Sequence, residues 1–208
     1  MDIAAKIASE LQIRNNQAEA AIKLIDEGNT IPFISRYRKE ATGALNDEQL
    51  RKLFERLNYL RNLEDRKSTV LSSIEEQGKL TAELKKQIES AETMVAVEDL
   101  YRPYKQKKRT RATIAKERGL SGLASIISLQ MTKKTLEDEA KSYIDAEKDV
   151  PDTDTAISGA LDIIAEEISD SADYRTKIRS LTFKDGNLTS VAKDPEAESV
   201  YEMYYNFS

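Results

Sequence analysis

The sequence contains no histidine, no cysteine and no tryptophan. Without imidazole and thiolate groups, the chain has neither the usual nitrogen and sulfur ligands of zinc nor the Ser–His or Cys–His pairs of hydrolases. Clusters of Asp and Glu could still bind Mg²⁺, but these residues recur at the spacing of exposed helix faces. We therefore predict a protein that is not an enzyme, with no metal site, no cofactor and no small-molecule substrate.

Glycine and proline are also scarce, with seven and four residues in a chain of 208. A protein built from many short strands would need more of these turn residues, so the composition favours helices. No apolar run approaches the roughly 20 residues that cross a bilayer, and the N-terminus shows no signal peptide. We expect an all-α, elongated multi-helix assembly with one long helix, cytoplasmic and without a membrane partner.

The first 28 residues predict two short helices joined by a tight connector. Ile3, Ile7 and Leu11 share one face of the first helix, and the second ends near Glu27, before Gly28. A glycine at that point is typical of a helix C-terminus. The pair is helix-turn-helix-like, but the second helix exposes more acids than bases. An αα-hairpin packed into a core is therefore favoured over recognition of a DNA groove.

A capping-box pattern at residues 46–49 predicts the start of a long helix, whose next stop signal is Gly78. An apolar stripe runs from Leu50 to Leu60 and resumes at Val70, whereas Glu64–Thr69 is wholly polar. Either the helix crosses solvent there or it bends. Because no glycine or proline interrupts residues 46–77, a continuous helix is favoured.

The second half of the chain contains the clearest linker signal, at residues 147–152. It predicts an N-terminal helical region over residues 1–148 and a second helical subdomain over 149–208. Residues 181–191, around Asp185-Gly186, fit either a small β-hairpin or a capped helix end with a loop. A last helix is expected from Pro195. This helix carries four aromatic residues: Tyr201, Tyr204, Tyr205 and Phe207. Either they contact a partner or another domain, or the helix folds back on its own domain.

Residues 101–118, hereafter the basic segment, carry eight Lys or Arg against one Glu. The chain as a whole has a formal charge of −5, so its cations are strongly segregated. Cations interleaved with tyrosine suit single-stranded nucleic acid, where phosphates meet the charges and bases stack on the rings. The candidate contacts are Arg102, Tyr104, Lys105, Lys107, Lys108, Arg109, Arg111 and Lys116. Alternatively, the cations of the basic segment pair with acidic faces of the same protein or with a protein partner. Tyr101 has the helical spacing of a core residue.

A smaller basic cluster comprises Arg36, Arg38 and Lys39, at the end of a short helix predicted from Thr30-Ile31-Pro32. These residues are candidate nucleic-acid contacts. Cations at a helix C-terminus also complement the helix dipole without any ligand, and both interpretations stay open.

Two long motifs stand out: NTIPFISRYRKEATG at residues 29–43, and EDLYRPYK at 98–105 continuing through KRTRATIA at 108–115. Together they resemble the N-terminal region of the Tex family of bacterial transcription accessory proteins. The ending YYNFS at 204–208 resembles the point where the family's chain leaves its helical region. The resemblance implies a helical scaffold and a role in transcription. Family members continue with ribonuclease-H-like, helix-hairpin-helix and S1 domains, the last credited with RNA binding, so we expect this chain to be part of a longer protein.

The sequence thus supports two hypotheses. In the first, the chain binds RNA or single-stranded DNA without catalysis and with little sequence specificity, because flexible cations that contact a phosphate backbone carry no base information. In the second, it is a helical scaffold that positions other domains or docks on the transcription machinery. The first requires that the lysine and arginine head groups of the basic segment are free, rather than paired with carboxylates of the same molecule.

Overall fold

The computed structural model describes residues 2–208, and these form an all-α fold with one two-stranded antiparallel sheet. The chain divides into two compact units, one extending to Tyr101 and the other comprising Arg102–Ser208. The boundary that the sequence predicts at 148/149 lies inside the second unit, and as a division into domains it stays a prediction. Among the described residues, no helix is both long and apolar enough to cross a membrane.

The first unit contains six helices. They are α1 (Ile3–Leu11), α2 (Asn15–Asp26), α3 (Ile31–Tyr37), α4 (Asp47–Glu76), α5 (Ala82–Ser90) and α6 (Met94–Tyr101). Asp2 caps α1 by accepting a hydrogen bond from the backbone N–H of Ala5 at 3.0 Å. Gly28 follows α2 with φ +85°, as the sequence predicts. Helices α1, α2 and α3 all pack against α4, so the predicted helix pair forms part of a core.

Helix α4 is continuous over 30 residues. Asn46 and Gln49 form the predicted capping box, each side chain accepting from the other's backbone N–H. The expectation that the polar stretch crosses solvent is wrong, because Lys67 is buried there. Its ammonium group donates to Glu64 at 2.9 Å and to the carbonyl oxygen of Glu89, in α5, at 2.8 Å. A polar run is therefore compatible with burial, since its one inward-facing side chain finds partners.

The second unit begins with a 3-10 turn at Arg102–Tyr104 and contains five helices. They are α7 (Arg111–Glu117), α8 (Ser121–Leu129), α9 (Leu136–Ala140), α10 (Thr153–Asp170) and α11 (Ala172–Asp185), with further 3-10 turns at Lys141–Tyr143 and Ala146–Lys148. Helix α10 is central and packs against α7, α8 and α9. At Gly159 a Cβ atom would lie 2.4 Å from Leu120 Cδ1, so only glycine permits this close approach.

The buried stripe of α10 consists of Ala156, Ala160 and Ile163. Two larger apolar residues of the same helix, Leu161 and Ile168, are about half exposed. Small residues allow neighbouring helices to approach α10 closely, and the larger side chains then lie at the margins of the contact. Because the small residues of α10 face the core, the acidic residues described below lie on another face of the helix.

The end of the chain differs from the predicted final helix. A 3-10 turn at Glu202–Tyr204 leads into β2 (Asn206–Phe207), which pairs antiparallel with β1 (Ser190–Val191). The predicted β-structure near 181–191 is thus present, but its partner strand lies at the end of the chain. Both alternatives for that segment are partly right, because α11 ends at Asp185 just before it.

Candidate functional site

The basic segment follows α6 and runs along α10 of the second unit. Its first residue, Tyr101, belongs to the first unit, where its hydroxyl lies 3.0 Å from that of Ser73 and the Arg66 guanidinium lies over its ring. Thr110 caps α7 by accepting from the backbone N–H of Thr113 at 3.1 Å. The residues between the 3-10 turn and α7 carry four of the eight cations: Lys105, Lys107, Lys108 and Arg109.

Helix α10 presents three carboxylates to this segment, from Asp162, Glu166 and Asp170, hereafter the acidic ladder. They are spaced four residues apart, so they lie one above another on the same face of the helix. The side chains of Glu166 and Asp170 are only 19% and 13% exposed, whereas that of Asp162 is 26% exposed. Carboxylates this poorly hydrated need partners.

The partners come from the basic segment. Arg102 Nε donates to Asp170 at 3.0 Å, and Arg111 Nη2 lies 3.5 Å from Asp162. The Lys107 ammonium group lies between two carboxylates, donating a hydrogen bond to Asp170 and lying 3.3 Å from an oxygen of Glu166. The hydroxyl of Thr110 donates to Glu166 at 3.0 Å, and Lys116 is 3.8 Å from the other oxygen of that carboxylate. Arg109 pairs with Glu117 at 2.8 Å within the segment itself.

Lys107 contacts two carboxylates of the acidic ladder, on Glu166 and Asp170. Partial burial acts to lower the pKa of its ammonium group, but the hydrogen bonds to Asp170 and Glu166 outweigh burial and raise that pKa above its ordinary value. The same hydrogen bonds thus favour the charged form of Lys107.

These contacts overturn the expectation of free head groups at five positions: Arg102, Lys107, Arg109, Arg111 and Lys116. The physical reason is the acidic ladder, a non-local partner that the charge run itself does not reveal. Lys105 and Lys108 are exposed and have no ion-pair partner among residues 2–208. Tyr104 is half-buried. Any role of these residues in binding nucleic acid stays a prediction.

The second basic cluster lies in the first unit, at the end of α3 and in the turn that follows. Arg36, Arg38 and Lys39 are all exposed. The Arg38 guanidinium lies 5.0 Å from the centre of the Phe33 ring, and no carboxylate of the described chain pairs with any of the three cations. The sequence motif had indicated the charges but not their arrangement around aromatic rings.

Of the four C-terminal aromatic residues, Tyr201, Tyr204 and Phe207 are exposed. Tyr205 is half-buried, and its hydroxyl donates to the carbonyl oxygen of Ala197 at 2.6 Å. Tyr204 and Phe207 contact each other edge to face, with ring centres 6.3 Å apart. Their predicted contact with a partner or another domain is untested.

Sequence reasoning missed the acidic ladder and Thr110. The available signal was the four-residue spacing of Asp162, Glu166 and Asp170, which places three acids on one face of a helix. That spacing is common on solvated faces, and nothing local connects it to the basic segment. Within residues 2–208, no group of three or more acidic side chains is arranged to hold a metal ion.

Comparison with known proteins matches two models of one family: the Tex-like protein N-terminal domain over residues 1–75 and the Tex central region over residues 132–208. The chain is 45% identical to the transcriptional accessory protein Tex of Neisseria gonorrhoeae over 199 residues, which is 95% of this chain and 26% of that protein. It is 46% identical to protein YhgF of Escherichia coli over 192 residues, 92% of this chain and 25% of that one.

A human protein named S1 RNA-binding domain-containing protein 1 is 32% identical over 165 residues, 78% of this chain and 16% of its own length. The chain therefore spans about a quarter, or less, of the length of these relatives. The two family models, which match opposite ends of the chain, and the identity over nearly all of it lead to one conclusion. The chain belongs to the Tex family and contains matches to its N-terminal domain and to its central region.

Proposed function

We propose that this chain is a helical scaffold of a Tex-type transcription accessory protein, in which ion pairs and hydrogen bonds hold the basic segment against α10. The observation that carries the proposal is the environment of Glu166. One carboxylate accepts a hydrogen bond from Thr110 and pairs with Lys107 and Lys116. A polyanion would have to displace these groups from a poorly hydrated carboxylate.

The stabilisation that these contacts provide depends on how far the charged groups are buried. Exposed ion pairs stabilise a protein by only about 0–1 kcal/mol, but hydrogen bonds to charged groups that are withdrawn from water contribute roughly 1.5–3 kcal/mol. Removing Lys107 would leave two shielded carboxylates, on Glu166 and Asp170, short of a partner. The cluster therefore favours the assembled unit over an open segment available to a ligand.

Two printed names connect the family to transcription and RNA: a relative is called a transcriptional accessory protein, and another an S1 RNA-binding domain-containing protein. We infer that the longer protein acts in transcription with a nucleic acid as its partner. In this proposal the present chain positions the parts that make the main contacts, and it performs no catalytic step.

A second candidate function is direct, weak and non-specific contact with RNA or single-stranded DNA through the basic segment. The observation in its favour is that Lys105 and Lys108 have no ion-pair partner among the described residues and that Arg109 and Arg111 keep 69% and 86% of their side-chain surface exposed. Such exposed pairs exchange partners at little cost.

One pair of variants separates the two functions. Lys107→Ala and Lys105→Ala each remove one charge from the same segment, but only Lys107 contacts the acidic ladder. The scaffold predicts that Lys107→Ala lowers the melting temperature of the 208-residue chain by several degrees, whereas Lys105→Ala leaves it unchanged. Equal melting temperatures for the two variants would sink the scaffold proposal.

The same proteins are then titrated with fluorescent single-stranded RNA and DNA at increasing salt. Binding by the basic segment predicts an affinity that falls steeply with salt and that weakens in the double variant Lys105→Ala/Lys108→Ala without loss of stability. The scaffold proposal expects this double variant to behave as the wild type does.

A further inference from the structure

We propose that a surface in the first unit, formed by Phe33, Arg36, Tyr37, Arg38 and Lys39, is a binding site for single-stranded nucleic acid. This surface, hereafter the α3 patch, lies in the unit that does not contain the acidic ladder. The inference goes beyond the scaffold function and does not depend on it.

The cations of the α3 patch are not neutralised by carboxylates of the described chain. Arg36 and Lys39 have no carboxylate partner among the described residues, in contrast to Lys107, which contacts two. Arg38 is oriented by the Phe33 ring and by a hydrogen bond that it donates to the carbonyl oxygen of Tyr37 at 3.2 Å, and neither partner neutralises it. Three cations within four residues are thus available to phosphates.

The α3 patch also exposes an aromatic ring. Tyr37 is 66% exposed, although a ring of this size ordinarily lies in a core or an interface. Its ring centre is 5.3 Å from that of Phe33, and the two planes are tilted by 45°. Phe33 supports one side of Tyr37, so the opposite face of the ring can stack on a nucleic-acid base.

Side-chain hydrogen bonds hold the backbone of the α3 patch in place. Thr42, which is fully buried, directs its hydroxyl at the carbonyl oxygens of Arg38 and Lys39, 3.2 and 3.4 Å away. The side-chain amide of Gln17 donates to the carbonyl oxygens of Thr42 and Gly43 at 3.2 and 2.8 Å. The backbone that carries the cations is therefore held in place before any ligand arrives, which lowers the entropy lost on binding.

Gly43 completes this turn. Its φ is +60°, and a Cβ atom there would lie 2.8 Å from Gln17 Nε2. A side chain at this position would be strained and would displace the amide that anchors the turn. The chain thus uses a specific residue to bring the turn against α2, and a turn that merely ended α3 would not need this anchoring.

An acidic protein segment could also neutralise the cations. It would have no need for the exposed ring of Tyr37, whereas a single strand uses charge and ring together. Because every base has a flat face, stacking on Tyr37 discriminates little between sequences. The geometry therefore favours a single-stranded nucleic acid bound without strong sequence preference.

The test measures fluorescence anisotropy of labelled U12 RNA and dT12 DNA with the 208-residue chain. We expect Tyr37→Ala to weaken binding by about tenfold and Tyr37→Phe, which keeps the ring, to bind like the wild type. The double variant Arg36→Ala/Lys39→Ala should reduce the slope of log affinity against log salt by about 1.4, the value for two lost phosphate contacts on a single strand.

Lys85→Ala/Lys86→Ala, which removes two exposed cations from α5 of the same unit, is the matched control and should change binding little. Absence of wild-type affinity at low salt, or an equal loss in this control, would overturn the proposal. So would a deca-glutamate peptide that binds as tightly as RNA and is equally sensitive to Tyr37→Ala, since it would identify an acidic protein as the ligand. The readout is independent of the Lys107 melting experiment, so either proposal can fail alone.

Discussion

Thr110 and Glu166 are joined by a hydrogen bond of 3.0 Å, 56 residues apart in the sequence. The hydroxyl of Thr110 donates to the carboxylate, while its oxygen accepts the backbone N–H of Thr113. One side chain therefore both starts α7 and attaches it to α10. The local helix signal and the tertiary contact depend on the same atom.

This double role predicts a large effect for Thr110→Ala. The variant loses a helix cap, which contributes about 0.5–2 kcal/mol, and also a hydrogen bond to a charged group of about 1.5–3 kcal/mol. Thr81→Ala is the control, because Thr81 caps α5 through Leu84 alone. Urea unfolding should show the greater loss for Thr110→Ala, and equal losses would contradict the tertiary role of Thr110.

A second prediction concerns the buried lysine of the long helix. Lys67→Met keeps most of the volume of the side chain but removes the donor to the carbonyl oxygen of Glu89. A hydrogen bond to a charged group contributes about 1.5–3 kcal/mol, and the lysine that makes this one is buried, so the first unit should unfold at a lower urea concentration. Lys52→Met changes the same residue type on the exposed face of α4, where Lys52 pairs only with Glu48, and should have little effect.

The two lysines illustrate which features of the fold can be predicted from the sequence: those that depend on nearby residues rather than on distant contacts. Caps, helix ends and the continuity of α4 depend on nearby residues, and the patterns at Asn46, Gln49 and Gly28 predicted them correctly. The burial of Lys67 depends on a carbonyl group 22 residues away, so the polar run around it was interpreted as solvated.

The same limit applies to the candidate site. The basic segment is evident in the sequence as a charge run, but its partners in the acidic ladder lie as many as 68 residues further along the chain. Pairing over that distance is decided by packing, here by the close approach at Gly159 that brings α10 against its neighbours. The α3 patch was found in part, because its cations were visible and the exposure of Tyr37 was not.

A third prediction concerns the stability of the folded chain at low pH. The hydrogen bond from Arg56 holds the pKa of Glu10 below its ordinary 4.5, and that from Arg61 holds the pKa of Asp26 below 3.8; in both, partial burial opposes the effect. A lowered folded-state pKa means that the unfolded chain takes up protons first as pH falls. The stabilisation is therefore complete at neutral pH and is lost as pH decreases from about 4.5 through the folded-state pKa values.

Thermal unfolding measured between pH 7 and pH 3 checks this sign. The double variant Glu10→Gln/Asp26→Asn should be less stable than the wild type at pH 7, and the difference should shrink towards pH 3. A difference that stays constant over this range would show that the two carboxylates contribute through their shape rather than their charge.

The last prediction concerns the aromatic residues near the end of the chain, whose contact with a partner or another domain remains our hypothesis. Tyr201 is 66% exposed in the present structure, whereas the hydroxyl of Tyr205 is occupied by the carbonyl oxygen of Ala197. Nitration of the 208-residue chain, followed by mass spectrometry, should therefore modify Tyr201 well before Tyr205. In a longer Tex relative that carries the equivalent tyrosine, a contact with another domain predicts that this residue becomes protected, while Tyr37 stays reactive as an internal reference. Equal reactivity of the Tyr201 position in the short and long proteins would exclude that contact, because a covered phenol cannot react at the rate of an exposed one.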